Sequence, residues 1–177
     1  MIEVVIDSIR VSLMSQHRIV VLKDMNSERY LPIWIGPFEA DAITVELQEV
    51  AQARPLTHDL LKSVIREMGG RVVHVLISDL RQDVYYARIV VELNGKQLEV
   101  DSRSSDAIAL AVRVKAPIYV ADSVMSRAAI EPDEDVENEI VAGGDEPVPG
   151  EEVDERRLSA FADFVNSLDL DLDEDED

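Results

Sequence analysis

Cysteine is absent from this sequence, and aromatic residues make up only 5% of it. A chain without cysteine has no disulfide, no thiolate nucleophile and no cysteine-based zinc site, which is typical of cytosolic proteins. No run of about 18 apolar residues occurs, so no membrane-spanning helix is expected. The first residues, MIEVVIDSIRV, include acidic side chains where a signal peptide would be basic. We therefore expect a cytoplasmic protein without a membrane-spanning segment.

Several catalytic signatures are absent as well. The sequence contains no His-x-x-His pair, no G-x-S-x-G elbow, no P-loop and no G-x-G-x-x-G segment. Each of these motifs supplies a metal site, a nucleophile or a phosphate cradle that its enzyme class requires. Their absence argues against zincins, serine hydrolases, nucleotide-dependent kinases and dinucleotide enzymes.

The negative charge is concentrated at the C-terminal end of the chain. The 177 residues have a net charge of −20. Residues 132–177 contain 2 basic and 19 acidic residues, net −17, whereas residues 1–131 contain 15 and 18, net −3. Because so acidic a segment repels phosphate backbones, it argues against a protein that coats DNA. One alternative is that this segment mimics nucleic acid and occupies a basic groove of the body.

Composition divides the chain into four predicted parts. Residues 1–131 have the length and apolar content to bury one core, which predicts a single globular domain. Residues 132–154 are rich in Asp, Glu, Pro and Gly, which predicts an acidic disordered linker. Residues 155–168 place apolar side chains at helical spacing and predict an amphipathic helix, followed by an acidic tail at 169–177. This helix would dock on its own domain, on a neighbouring subunit or on a protein partner.

One unit of the domain occurs twice. Two segments begin with Arg-Ile-Val-Val and end with Asp-Ala-Ile, at Asp41 and Asp106. Runs of β-branched residues separated by turn signals, such as the hairpin pair Asn94-Gly95, predict three strands and a helix in each unit, at about residues 2–53 and 71–115. The predicted fold class is therefore α/β (α+β), with a mixed β-sheet from a duplicated β-β-β-α unit and helices packed on it.

Acidic and basic side chains cluster where the second unit passes from strand to helix, in VDSRSSDAIAL. Asp101 and Asp106 could present oxygens to one Mg²⁺ or Mn²⁺, the hard cations that carboxylates suit. Such an ion would position a water and neutralise charge on a phosphodiester, while Arg103 holds the phosphate. The structural alternative is that Asp106, like Asp41 in the first unit, lies in the first turn of a helix and caps it.

Two further segments supply candidates. In RPLTHDLL, His58 lies beside Asp59 at a helix start and could act as a general base or metal ligand. The alternative is a solvated first-turn side chain. Arg54 precedes this helix, for which Thr57 is the predicted N-cap. Its predicted apolar stripe consists of Leu60, Leu61, Val64, Ile65 and Met68. In SDLRQDVYYARI, Arg81 lies near two tyrosines, which could form a phosphate-and-base surface or an ordinary hairpin.

Four motifs, in this order and spacing, resemble the bifunctional nuclease domain family: LPIWIGPFEADAI, RPLTHDLL, LRQDVYYARI and VDSRSSDAIALAVRVKAPIYV. The resemblance covers about residues 1–131, and Ser104 stands where the family usually has proline. It implies an α/β domain with a duplicated unit that forms homo-oligomers, with a dimer favoured, and that cleaves DNA and RNA. The amphipathic helix is similar to one that follows the domain in bacterial members.

Two hypotheses follow from these motifs. The first is a nuclease with little sequence preference that depends on Mg²⁺ or Mn²⁺. The second is a non-enzymatic homo-oligomeric regulatory or protein-interaction module, in which the polar motifs are helix caps and interface contacts. Because the family has no agreed catalytic residues, we nominate side chains of suitable chemistry within its motifs. The catalytic candidates are Asp101, Asp106 and His58, the metal ligands are Asp101 and Asp106, and the substrate-binding candidates are Arg103, Arg54 and Arg81.

Overall fold

The computed structural model describes residues 1–11 and 18–131. The predicted linker, amphipathic helix and acidic tail at 132–177 lie outside the described residues, so they stay predictions. Among the described residues, no helix is both long enough and apolar enough to cross a membrane.

Seven strands form one mixed sheet. They are β1 (Ile2–Val11), β2 (Arg18–Asp24), β3 (Tyr30–Ile35), β4 (Gly70–Arg81), β5 (Val84–Leu93), β6 (Lys96–Arg103) and β7 (Ile118–Val120). Their order across the sheet is β3-β2-β1-β7-β4-β5-β6. Neighbouring strands are antiparallel except β4 and β7, which are parallel. The edge strand β3 contains Pro32, as expected for a residue that cannot donate to a ladder.

Four helices accompany the sheet: α1 (Pro37–Leu47), α2 (Thr57–Glu67), α3 (Ser104–Val114) and α4 (Asp122–Ala128). Helix α3 lies between α1 and α2 and packs on β4 and β5. Its alanines allow close approach, and residues 107–111 are all fully buried in the single core cluster. The predicted mixed sheet with helices packed on it is confirmed.

Each half of the sheet is an antiparallel three-stranded meander followed by a helix. The first half runs β1-β2-β3-α1 and the second runs β4-β5-β6-α3. Strand β7 joins them, because it pairs with β1 on one side and with β4 on the other. The order of elements agrees with the predicted one, whereas the origin of the two halves by duplication stays a prediction.

Tight turns set the register of the second half. Asn94 and Gly95 join β5 to β6 with φ values of 52° and 73°, which confirms the hairpin predicted from this pair. Gln82 and Asp83 join β4 to β5 with φ values of 48° and 61°, as a type I′ turn requires, although no glycine marks this turn. The β5–β6 ladder is unbroken up to Arg103, which ends directly at α3.

Helix α2 differs from its predicted form in two respects. Leu56 is its N-cap and Thr57 its first residue, so the predicted cap at Thr57 is wrong by one position. The predicted apolar stripe is only partly covered. Ile65 packs against the core, whereas Leu60 and Met68 are 60% and 68% exposed. Because α2 packs on α3 and β4 through the side of Ile65, its other apolar side chains face away from the core.

Candidate functional site

The first turns of α1, α2 and α3 meet at one cavity of about 650 Å³. Glu39 of α1, His58 of α2, and Arg103 and Asp106 at the start of α3 all line it. A helix start presents unpaired backbone N–H groups and a partial positive charge, both of which favour anions. The lining also contains the carboxylates of Glu39, Asp41 and Asp106, so Arg103 and the helix starts are the groups of this cavity that could contact an anion.

One buried arginine holds the three helices together. The Arg113 side chain, in α3, is only 1% exposed. Its Nε donates to Asp59 Oδ1 of α2 at 2.9 Å, and its Nη2 donates to the Ala42 carbonyl of α1 at 2.9 Å. A third bond, from Nη1, goes to the Ala109 carbonyl of α3 at 2.8 Å. Arg113 thus fixes where α1 and α2 begin relative to α3.

Asp106 lies at the centre of the polar cluster in this cavity. Its Oδ2 accepts from Arg103 Nε at 2.7 Å and its Oδ1 accepts from Arg103 Nη2 at 3.0 Å. The same Oδ1 lies 3.2 Å from Nε2 of His58. Helix α3 has no side-chain bond from its N-cap, Arg103, and Asp106 lies in its first turn as predicted, where its carboxylate binds side chains.

The cluster keeps Asp106 ionised. Partial burial by itself would raise the pKa of Asp106, but hydrogen bonds from Arg103 and then His58, with the charge of Arg103, outweigh it and lower the pKa. In turn, hydrogen bonds to Asp106 and Glu39 raise the pKa of Arg103 above its usual value. Because an ionised carboxylate only accepts hydrogen bonds, Nε2 of His58 must donate to it, and in the neutral ring that makes this bond Nδ1 has the lone pair.

The lone pair of His58 is accessible although the residue is only 8% exposed. Within residues 1–11 and 18–131, the ring makes one hydrogen bond, from Nε2 to Asp106. Among the described residues, no buried side-chain nitrogen or oxygen lacks a partner, so Nδ1 must reach solvent. A histidine with one nitrogen held by a carboxylate and the other open to water has the geometry of a general base.

Asp59, the neighbour of His58, has a structural role. Its Oδ2 accepts from the Leu56 backbone N–H at 2.8 Å, and its Oδ1 accepts from Arg113. Burial would raise the pKa of Asp59, but the Leu56 N–H and then Arg113 outweigh this effect and lower it. The capping role predicted for a first-turn carboxylate therefore belongs to Asp59.

Three candidates lie apart from this cluster. Asp101 is an exposed residue of the edge strand β6, and Arg54 is exposed in the loop before α2. Arg81 ends β4, where its Nε donates to Asp79 Oδ2 at 2.6 Å. None of the three lines the cavity as the described residues form it. The structure thus brings together Asp106, His58 and Arg103 but not the other candidates.

The predicted Mg²⁺ or Mn²⁺ site finds no support in this arrangement. The described residues contain no group of three or more His, Asp or Glu side chains placed to hold a metal ion. Both oxygens of Asp106 accept from Arg103, so a cationic guanidinium already occupies the position that the ion would take. In the described part of the chain, no hydrogen bond or ion pair joins Asp101 to this cluster. Hard divalent cations need about six oxygen ligands. The residues as placed do not fit such an ion, and the metal site stays a prediction.

Sequence reasoning missed two participants, Glu39 and Arg113. Glu39 Oε1 accepts from Arg103 Nη2 at 2.7 Å, across 64 positions of the chain. Both residues lie within the motifs quoted above, but neither stands beside another candidate in the sequence. The predicted first-turn position of Asp41 is wrong, because α1 begins at Pro37 and Asp41 is an exposed residue of its second turn.

Comparison with known proteins agrees with these motifs. The family model described as bifunctional nuclease domain matches residues 20–133. An uncharacterized protein of Mycobacterium tuberculosis is 37% identical over 167 residues, 94% of each chain. Bifunctional nuclease 2 of Oryza sativa subsp. japonica is 33% identical over 131 residues, 72% of this chain and 40% of the rice protein. Bifunctional nuclease 1 of Arabidopsis thaliana is 31% identical over 108 residues, 59% of this chain and 33% of the plant protein. The chain thus spans less than half the length of these plant relatives.

Proposed function

The chain belongs to the bifunctional nuclease domain family, and on that premise we propose that its cavity at the starts of α1, α2 and α3 hydrolyses phosphodiester bonds of DNA and RNA. One observation supports this site above all. Asp106 joins an arginine that can bind phosphate to a histidine that can act as a general base, at one cavity where three helices begin.

Phosphate binding in this proposal is the role of Arg103. Its side chain is 67% exposed, and its Nη1 makes no hydrogen bond within the described residues. Asp106 holds the guanidinium in a fixed orientation, so less side-chain freedom is lost when a phosphate binds. Contacts to phosphate carry no sequence information, which agrees with a nuclease of little sequence preference.

Proton transfer is the role of His58. Its Nδ1 would take a proton from a water as that water attacks phosphorus, and Asp106 would stabilise the imidazolium that forms. The bond from phosphorus to the leaving sugar oxygen breaks, and that oxygen takes a proton from solvent. A positioned general base contributes about 10²- to 10⁴-fold to such a step.

The test is cleavage of single-stranded DNA and RNA oligonucleotides by extensively purified full-length variants. His58→Gln should lose about 100-fold or more of the rate. Arg103→Lys keeps the charge but loses the forked donor pair, so it should raise KM for substrate. Asp101→Asn is the matched control, because it removes a carboxylate of the same motif from outside the cluster, and it should cleave like wild type.

Each assay is run with Mg²⁺, with Mn²⁺ and with EDTA. Cleavage that persists in EDTA supports the histidine-based reaction. Cleavage that EDTA abolishes, together with loss in Asp101→Asn, would instead support the predicted metal site. If His58→Gln cleaves as fast as wild type in every condition, the proposed site is wrong.

A second candidate function, a homo-oligomeric regulatory module, is favoured by an uncovered apolar surface. The α2 surface consists of the exposed side chains Leu60, Leu61, Val64 and Met68. We propose that a second copy of the chain covers it in a dimer. In support, β6 is an edge strand of the described sheet with an unbroken register, and two such strands can pair about a twofold axis. Pairing of β6 with its copy would also cover the exposed Leu98 and Val100.

Sedimentation velocity of the full chain tests this dimer. The double variant Leu60→Ser/Met68→Ser should sediment as a monomer if wild type is a dimer. Val84→Ser, which removes an exposed apolar side chain at the start of β5, is the control. An unchanged assembly of the double variant would contradict the proposed interface. A dimer that cleaves no substrate would favour the regulatory module, with the segment 155–168 as the proposed contact for a protein partner.

A further inference from the structure

Glu39 forms an ion pair with Arg103 to which the proposed reaction assigns no role. It is the third residue of α1, and its side chain is 15% exposed. Its carboxylate accepts from Arg103 Nη2 at 2.7 Å. Neither proton transfer nor phosphate binding requires a second carboxylate there, and a negative charge beside the phosphate site opposes binding of an anion.

The geometry of Arg103 shows which contact Glu39 prevents. A guanidinium offers five N–H donors in a planar fork, and phosphate binds best when two parallel donors contact it together. Asp106 takes the edge formed by Nε and Nη2. The edge formed by Nη1 and Nη2 is the remaining one that could hold a phosphate in this way, and Glu39 binds Nη2 on it.

Gly36 provides the space in which the Glu39 carboxylate lies. A Cβ atom at this position would come within 2.2 Å of Glu39 Oε2, a separation that real Cβ atoms do not adopt. The φ of Gly36 is −69°, so the backbone itself does not require glycine. The missing side chain therefore allows Glu39 to fold back beside the start of α1, towards Arg103.

We propose that Glu39 is a gate on the proposed nuclease site, an internal anion that a phosphodiester must displace from the Nη1–Nη2 edge of Arg103. The inference rests on the proposed function, since it assigns phosphate to Arg103. Removing the carboxylate frees a charge-assisted donor and relieves repulsion. Glu39→Gln should therefore bind single-stranded DNA about 10- to 100-fold more tightly than wild type.

The experiment measures fluorescence anisotropy of a labelled single-stranded DNA tetranucleotide with phosphorothioate linkages, which keep the charge and resist hydrolysis, in EDTA, with full-length protein. Glu39→Gln should bind more tightly, and Gly36→Ala should shift affinity in the same direction, because it moves the carboxylate without changing the net charge. Glu46→Gln is the charge-matched control. It lies two helical turns further along α1, about 10 Å away along the axis, and should bind like wild type. Far-ultraviolet circular dichroism confirms that each variant is folded.

The outcomes separate the gate from the site. Weaker binding by Arg103→Lys would show that wild type binds through Arg103. If Glu39→Gln and Gly36→Ala then bind no more tightly than wild type, the gate is wrong and the proposed site is kept. If Arg103→Lys has no effect in the Glu39→Gln background, or no protein binds, both are wrong. In cleavage, the gate predicts a lower KM for Glu39→Gln with kcat little changed, which a loss of packing would not produce.

Discussion

Replacing Arg113 by methionine tests whether the three helix starts are held together by one buried cation. Methionine keeps most of the apolar length of the side chain and removes the guanidinium. The substitution deletes the bonds to Asp59, Ala42 and Ala109. The two carbonyls belong to helices and can keep their intrahelical partners, so the main cost is the carboxylate of Asp59, which loses its cation.

The magnitude follows from how far Asp59 can be rehydrated. Removing one partner of a fully buried ion pair costs about 3–5 kcal/mol. Asp59 is 32% exposed and keeps its bond from the Leu56 N–H, which reduces this cost. We expect Arg113→Met to lower the free energy of unfolding by about 3 kcal/mol, at the low end of that range. Arg66→Met, which removes an exposed arginine paired with Glu67, should cost about 1 kcal/mol or less.

Urea unfolding of the full chain, followed by far-ultraviolet circular dichroism, measures both values. A double-mutant cycle with Asp59→Asn isolates the pair, and we expect a coupling energy of at least about 1 kcal/mol. Arg113→Met should also slow cleavage, since α1 and α2 would lose their fixed position beside α3. A loss no larger than that of Arg66→Met, or a cycle with no coupling, would refute the argument that Arg113 joins the helices.

Two further predictions concern the pH dependence of stability through Asp106 and the backbone turn at Gly69. Folding lowers the pKa of Asp106, so its contribution to stability is complete above its unfolded pKa of about 4 and is lost as the pH falls through the folded value. In urea titrations, the stability difference between wild type and Asp106→Asn should therefore shrink below about pH 4, and a constant difference would contradict the low pKa. Gly69 has a φ of +80° with nothing near its absent side chain, so Gly69→Ala should cost about 1 kcal/mol through backbone strain alone. Gly69→Asn should cost less, and equal losses would point to a different cause.

Local signals in the sequence predict most elements of the fold, but not their neighbours. The pair Asn94-Gly95 predicts its hairpin, because a type I′ turn needs a positive φ at both positions. Strand β7 has only three residues, and its place between β1 and β4 depends on pairing with strands more than 40 positions away. No local pattern records such pairing, so the sequence alone could not order the two halves of the sheet.

The same difference between local and long-range contacts applies to the site. Arg103 and Asp106 are three residues apart at one helix start, so their proximity could be predicted from the sequence. His58 reaches Asp106 across 48 positions, and only the packing of α2 on α3 brings them together. Asp101 precedes Arg103 by two residues but belongs to the strand, which keeps it out of the cavity formed by the helix starts.

The first turns of α1 and α3 show why Asp41, which the repeated Asp-Ala-Ile motif matches to Asp106, is not its structural counterpart. Helix α3 begins at residue 104 and places Asp106 at its third position, whereas α1 begins at Pro37 and places Asp41 at its fifth. A shift of two residues turns a helical side chain by about 200°, so Asp41 cannot face the same way as Asp106. The residue at the third position of α1 is Glu39. By position in the helix, Glu39 is therefore the counterpart of Asp106, and both carboxylates accept from Arg103.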